Sequence, residues 1–384
     1  MISDLWYGKL CTIHSNLRRF CMRKLLVVLL VALFSLSLFA AGEGEAADTS
    51  KAQYTIKYAT GDPPDVLTAS AHADAVMFKN YVEARSGGRI KVEIYPANEL
   101  GSEREQLEGV QLGSIQMCNV SEGTVGIFFP EILALSVPYA FRTYTEAWAV
   151  ADSPYMKNLM GKMVKDTGIR NLDVNQNGFR NFSNNVRPVR TPADMKGLKI
   201  RTMEHRGHMA MVNELGANAV PIAWGELYSA LQQKVVDGQE NPPSLVQAMK
   251  FYEVQKYYTL DGHIYSIDFT FINNKFYNSL PADLRQIVYE GADISGTIHK
   301  SLETYVSNVT AVGALIEEGM EVYTPSAEEI AQFQQATQGP VMEWIKNEID
   351  PKWVNDFMKT IETVKKGLVA PSGTEPGNGF VIQQ

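Results

Sequence analysis

The sequence predicts an α/β protein of two lobes, each a mixed β-sheet flanked by helices, with a ligand cleft between them. Three observations carry that expectation. Strand and helix periods alternate from Tyr54 to Val120, the order that builds a parallel sheet. Two more strand-helix units follow one another between Lys196 and Leu245. Between and after these regions lie NGFRNFSNN and HIYSIDFTFINN, placed where the chain would cross from one lobe to the other and back. A length of 384 residues with 45% hydrophobic content is enough for two such cores.

Taken in order, Tyr54 to Ala59 reads as a first strand and TGDPPD as the loop leaving it. The next helix carries Ala75, Phe78 and Val82 on one face and closes at Gly87-Gly88. Ile90, Val92 and Ile94 alternate with Lys91 and Glu93, which is strand period. Ser102 and Glu105 stand at capping-box spacing before an apolar run. SIQMCNV is almost continuously apolar, as a strand buried on both faces would be. From Ser121 to Phe141 the chain is aromatic and Pro-punctuated, fit either for core or for a cleft wall. Helices are expected over 145–152 and 156–166, then a strand over 170–175.

The polar stretch beginning NGFRNFSNN is the first expected crossing. Lys199 to Thr202 is a short strand, and Met209, Val212 and Leu215 recur at helical spacing before Gly216, a C-cap glycine. Asn218 to Ile222 is the next strand; Leu227, Leu231 and Val235 define a helix that Gly238 ends. Residues 244–258 read as one helix, and HIYSIDFTFINN as a strand crossing back. A long helix runs from the Ser279–Asp283 cap to Ala311, followed by a short strand in GMEVYTPS and two C-terminal helices. The expected lobes are 52–177 with 266–306, and 178–265 with 307–367; the Pro/Gly-rich 368–384 is a loose tail. Two lobes joined by more than one crossing form a clamshell that closes by hinge motion.

Met22-Arg23-Lys24 followed by LLVVLLVALFSLSLFAA, with Gly44 and Ala46 beyond, has the form of a signal peptide over 22–46. The alternative is an uncleaved anchor, disfavoured because GEGEAAD, not a basic flank, follows the apolar run. Residues 1–21 precede a start of conventional shape at Met22. Cleavage after Ala46 would leave 30 basic against 40 acidic residues, a formal charge of −10, so nucleic acid is not an expected partner. It would also leave Cys118 as the one cysteine, with no internal disulfide to form. The expected location is periplasmic.

Three side chains between Lys196 and Leu245 are hard to explain as packing. Arg201 stands at a strand end, Trp224 at a helix start and Asn241 just past a helix. In open α/β sheets such junctions share one surface, outside the carboxyl ends of the strands. A guanidinium fork, an aromatic wall and an amide together suit a small organic acid. Each has a plainer alternative: Arg201 paired with a surface acid, Trp224 as a helix staple, Asn241 orienting the Pro242 turn. In the first lobe Thr60, Asn119, Ser121 and Glu122 follow strand ends and are expected to face the cleft. A cleft Glu122 would accept hydrogen bonds from ligand hydroxyls or amines, favouring a hydroxy, sugar or amino-bearing acid over a bare dicarboxylate.

The same stretch resembles a known family. GLKIRTM and AVPIAWGELYSALQQKVVDGQENP look like the solute-binding subunits of tripartite ATP-independent periplasmic (TRAP) transporters, of the dicarboxylate-binding type. The likeness extends through KYATGDPP, IYPANELGSEREQLEGVQLGSIQM, FFPEILALSVPYAF and FYEVQKYYTLDGH. The resemblance implies the two-lobe fold of a type II-like periplasmic binding protein. It implies a salt bridge from Arg201 to the substrate carboxylate, ligand contacts at Arg180 in GFRNFSN and at Asn241, and an aromatic contact at Trp224. It further implies an ion-gradient-driven membrane permease as partner, no cofactor, and a monomer or dimer. Arg180 shares its loop with Arg187 and Arg190, so a solvated basic loop is its alternative.

His205 and His208 lie three residues apart beside Glu204, but HExxH spacing and a third ligand are missing; surface or cleft-rim histidines are expected, and no metal. No GxSxG, P-loop, GxGxxG after a strand or CxxC occurs, so no catalytic residue is assigned and a non-enzyme is expected. The alternatives are an extracytoplasmic hydrolase or lyase acting on a similar acid, or a ligand sensor for a receptor.

Overall fold

A computed structural model describes residues 52–368; the signal-peptide segment and the tail beyond Leu368 lie outside the described residues. The strands are β1 (Tyr54–Thr60), β2 (Ile90–Tyr95), β3 (Met117–Ser121), β4 (Ile169–Val174), β5 (Gly178–Asn184), β6 (Lys199–Thr202), β7 (Asn218–Pro221), β8 (Gly238–Asn241), β9 (Tyr257–Ser266), β10 (Asp268–Asn273) and β11 (Glu321–Tyr323). They form two mixed sheets flanked by helices, one in each lobe, ordered β2-β1-β3-β10-β4 and β11-β9-β5-β8-β6-β7.

In the first sheet β2, β1 and β3 run parallel, and β10 inserts antiparallel between β3 and β4. The helix Ser70–Arg85 buries Ala75, Phe78 and Val82 against it. Helix Glu103–Leu112 starts with the Ser102–Glu105 capping box, which fixes where its first turn points. All five residues of β3 are buried, Cys118 among them. A parallel strand covered on both faces needs that continuous apolar run.

In the second sheet β6 lies between β7 and β8, parallel to both, while β5 runs antiparallel to β8 and β9. Two expectations are corrected here. The helix with Leu227 and Leu231 ends at Gln232, Lys234 adopts φ +58°, Val235 is exposed, and Gly238 opens a strand. A Cβ on Gly238 would sit 2.1 Å from the Ser183 carbonyl, so this glycine serves the close approach of β8 to β5. Residues 244–258 are likewise not one helix: the helix is Pro243–Ala248, Lys250 turns left-handed at φ +54°, and β9 begins at Tyr257. In both places an apolar period continues past a lysine whose backbone has left the helical region, a break that side-chain spacing does not register.

The chain passes between sheets at 175–177 and at Ile267, which divides HIYSIDFTFINN into β9 and β10 of different sheets. The long helix runs Ala282–Tyr305, takes a π-turn over Val306–Thr310 and continues as Ala311–Glu317, beyond the expected end. Just before the π-turn, the buried Glu303 carboxylate accepts from Ser70 Oγ at 3.2 Å, Ser244 Oγ at 2.5 Å and Ser307 Oγ at 2.7 Å. One carboxylate therefore holds helix Ser70–Arg85 of the first lobe and helix Pro243–Ala248 beside β8.

Candidate functional site

At the carboxyl ends of β1, β3, β6 and β8 lies a cavity enclosing about 420 Å³ of empty space, counting the solvent at its mouth. Arg201, Arg180, Trp224, Asn241, Asn119 and Ser121 line it, six of the eight residues singled out from sequence. β6 ends at Thr202 and β8 at Asn241, so Arg201 and Asn241 reach one place from strands that neighbour each other. Trp224 opens a 3₁₀ turn after β7, and its ring lies 5.9 Å from the Arg201 guanidinium carbon. That distance allows a cation–π attraction.

Arg201 is 1% exposed, yet no carboxylate of the described residues lies within ion-pairing distance of it. Its Nε donates to the Ile222 carbonyl at 2.9 Å, and its buried Nη1 has no hydrogen-bond partner among the described residues. Burial dominates its electrostatics and brings its pKa down to about 10, with the more distant Glu240 opposing and Arg180 adding to the fall. A fully desolvated cation of this kind is costly unless an anion compensates it.

Arg180 lines the same cavity but is already matched. Its Nε and Nη2 both donate to the Glu240 carboxylate, Nη2 also reaches the Glu240 carbonyl at 2.6 Å, and Nη1 donates to Asn177 Oδ1 at 3.2 Å. Burial alone would raise the Glu240 carboxyl, but the Arg180 charge overrides it and the net shift is strongly downward. Behind the pair, His263 Nε2 lies 3.3 Å from Glu240 and its Nδ1 2.9 Å from Asp261, which also accepts from Tyr139 at 3.0 Å. Burial works against a charged His263, yet Asp261 and Glu240 lift it to about 9. Arg180 is thus a wall group whose charge is spent inside the protein, and Arg201 is the unmatched one.

The cavity also holds three carboxylates that sequence reading did not pick: Asp62, Glu103 and Asp268. Asp62 lies in the loop after β1, two residues beyond Thr60. Glu103, first residue of its helix, accepts from Thr124 Oγ1 at 2.7 Å and from the Ser121 N–H at 3.4 Å. Asp268 opens β10, accepts from Asn177 Nδ2 at 3.0 Å and stands 3.6 Å from His299 Nε2. Burial raises all three carboxyls, Asp268 to about 7 despite the opposing His299 and Asn177. Asp62 was legible as the acid of TGDPPD. Glu103 was concealed by its ordinary place in a first helical turn, and Asp268 and Asn177 by the assignment of the crossings as plain strand and loop.

Two picks are corrected. Glu122 does not line the cavity; its carboxylate accepts from Ser266 Oγ at 3.0 and 2.8 Å and from the Ile267 N–H at 2.8 Å, with His208 Nε2 at 3.4 Å. Its hydrogen-bonding capacity goes to fastening the start of a helical turn to the β9–β10 crossing. Thr60 is fully buried in the sheet, and Gly61 and Asp62 line the cavity in its place. The histidines are not at a rim: His205 and His208 are buried 4.5 Å apart, with His205 Nε2 3.1 Å from Ser136 Oγ. Among the described residues no group of three or more His, Cys, Asp or Glu could hold a metal ion.

The two lobes meet closely around the cavity. A Cβ on Gly123 would lie 2.5 Å from Met203 Sδ, and one on Gly61 3.2 Å from Trp224 Cδ1. A side chain at either glycine would press on Met203 or Trp224 from across the cavity.

The model of the family described as bacterial extracellular solute-binding protein, family 7 (DctP), matches residues 67–347. A solute-binding protein of Verminephrobacter eiseniae strain EF01-2 is 42% identical over 215 residues, which span 56% of this chain and 64% of that relative, just under two thirds of its length. The 2,3-diketo-L-gulonate-binding periplasmic protein YiaO of Escherichia coli K12 is 30% identical over 288 residues, 75% of this chain and 86% of that one. Among solved structures, a TRAP periplasmic solute binding protein from Polaromonas sp. JS666 bound to D-erythronate superposes with a TM-score of 0.76 at 30% identity, covering 81% of this chain and 99% of that chain.

Proposed function

The chain belongs to family 7 of the bacterial extracellular solute-binding proteins, the DctP-type solute-binding subunits of TRAP transporters, and on that premise we propose that it captures a small organic acid anion through Arg201 and hands it to a TRAP permease. One observation carries the reading: a buried guanidinium that has no anion, and at Nη1 no hydrogen-bond partner, among the described residues, in the wall of a cavity. An incoming carboxylate supplies the missing charge and accepts bidentately. Trp224 covers the ligand, Asn241 and Asn119 offer amides, and Arg180, held by Glu240, presents an already neutralised edge. Micromolar binding corresponds to about −8 kcal/mol, a magnitude that one desolvated Arg–carboxylate pair, stacking and lobe closure together can supply.

The lobes in this reading are 52–177 with 266–306 and 178–265 with 307–367, a division that the membership of the two sheets supports for the strands. Hinge motion would occur at 175–177, at Ile267 and at the π-turn. The signal peptide over 22–46 is cleaved and the mature protein works in the periplasm, without catalysis, as a monomer or dimer. Calorimetry and thermal shift against a panel of hydroxy, sugar and dicarboxylic acids test the function, with each acid recovered and analysed by NMR. A binder returns its acid intact and gains stability. Turnover of a recovered acid, or no response to any carboxylate, would overturn the proposal.

A further inference from the structure

The cavity is chemically two-sided. Arg201, Arg180, Trp224 and Asn241 come from the second sheet and its loops, whereas Asp62, Glu103 and Asp268 come from the first sheet and the helix that follows β2. Arg180 is neutralised by Glu240, so a single uncommitted cation faces three carboxylates. Each carboxylate oxygen can accept about two hydrogen bonds. The protein uses one on each Glu103 oxygen and one on Asp268 Oδ1, with His299 Nε2 3.6 Å from Asp268 Oδ2. The first-lobe side therefore retains acceptor capacity and carries no lysine or arginine among its lining residues.

We propose that Asp62, Glu103 and Asp268 form an acceptor wall that selects monocarboxylates carrying hydroxyl groups along the chain and rejects acids with a second carboxylate. The inference rests on the site being a carboxylate-binding cleft centred on Arg201. Once Arg201 holds the first carboxylate, a second one at the far end faces the carboxylates of Asp62, Glu103 and Asp268, and such juxtapositions of like charge in a desolvated site are disfavoured. A hydroxymethyl group at that end instead donates to the wall.

Matched pairs isolate this effect, because erythronate and tartrate, or gluconate and glucarate, differ at the far end by hydroxymethyl against carboxylate. Calorimetry with the mature protein is expected to show each aldonate binding roughly tenfold or more tightly than its dicarboxylate. Asp62→Asn should narrow that gap, since it removes one like charge while keeping an acceptor oxygen; Glu103→Gln gives the second reading should Asp62→Asn not fold. A dicarboxylate binding as tightly as its aldonate, a panel in which only unhydroxylated acids bind, or a gap unchanged in both variants would overturn the acceptor wall and leave carboxylate capture by Arg201 standing. Loss of all carboxylate binding would instead sink the reading on which the wall depends.

Discussion

Replacing Arg201 by Met should make the ligand-free protein more stable while removing its function. Burial brings the pKa of Arg201 down from the usual guanidinium range to about 10, and a fall of that size means the folded state disfavours the charged form by roughly 3 kcal/mol. Met removes that penalty and keeps an apolar body beside the Trp224 ring. It also loses the Nε bond to the Ile222 carbonyl, worth about 1 kcal/mol, and leaves some unfilled volume. The net expectation is a gain of about 1–2 kcal/mol, or a Tm rise of about 1–3 °C for a chain of this size. Binding of any carboxylate should drop by about a hundredfold or more, because the uncommitted cation of the cavity lining is gone. Arg201→Lys keeps the charge without the fork and should weaken binding about tenfold or more. Differential scanning calorimetry of the ligand-free proteins and isothermal titration with the best-binding acid measure both effects. A ligand-free Arg201→Met protein that melts lower than the wild type, with affinity within about twofold, would refute the reasoning.

Arg180→Met should have the opposite sign, since it removes the main partner of the fully buried Glu240 carboxylate and leaves it to His263; a loss of about 3–5 kcal/mol is expected in urea unfolding, and a Tm equal to wild type would contradict it. Gly123→Ala places a Cβ where Met203 Sδ now sits 2.5 Å away; affinity should fall by about 1–3 kcal/mol, with partial recovery in Gly123→Ala/Met203→Ala, and unchanged titration isotherms would argue against closure at this contact. Stability should fall as pH rises from 5 to 9. His263 and His299, both lifted to about 9 by neighbouring carboxylates despite burial, stabilise fully below their ordinary value of 6.5 and lose that contribution as pH climbs through 9. Asp268 and Glu303, raised by burial to about 7, act in the same direction between their ordinary carboxylate range and 7. A Tm that holds level or rises over that interval would contradict the assigned charge states.

Much of this arrangement can be read before any coordinates, and the reason is local. Capping at Ser102, the C-terminal glycine at 216 and the unbroken apolar run of β3 are short-range signals that fix one element each. The general rule that strand ends in α/β sheets share a surface then gathers Arg201, Trp224, Asn241, Asn119 and Ser121 into one cavity. What was misread depends on partners distant in the chain. Glu122 and Asp62 are both acids just after strand ends, and only the fold reveals that Ser266 and Ile267, more than 140 positions later, occupy the first. Glu240 was passed over because its partner Arg180 sits 60 residues away on the adjacent strand. Lys234 and Lys250 ended helices through backbone torsions that no side-chain pattern announces. Sequence periods report which face is buried; they do not report which buried charges have found each other.

The most direct test of the account is a crystal structure of the mature protein with its tightest-binding acid. The account predicts a ligand carboxylate within hydrogen-bonding distance of Arg201 Nη1, the group that has no partner among the described residues, with the ligand chain extending toward Asp62, Glu103 and Asp268. A ligand whose carboxylate sits elsewhere, with Arg201 Nη1 bonded to a protein oxygen instead, would contradict it.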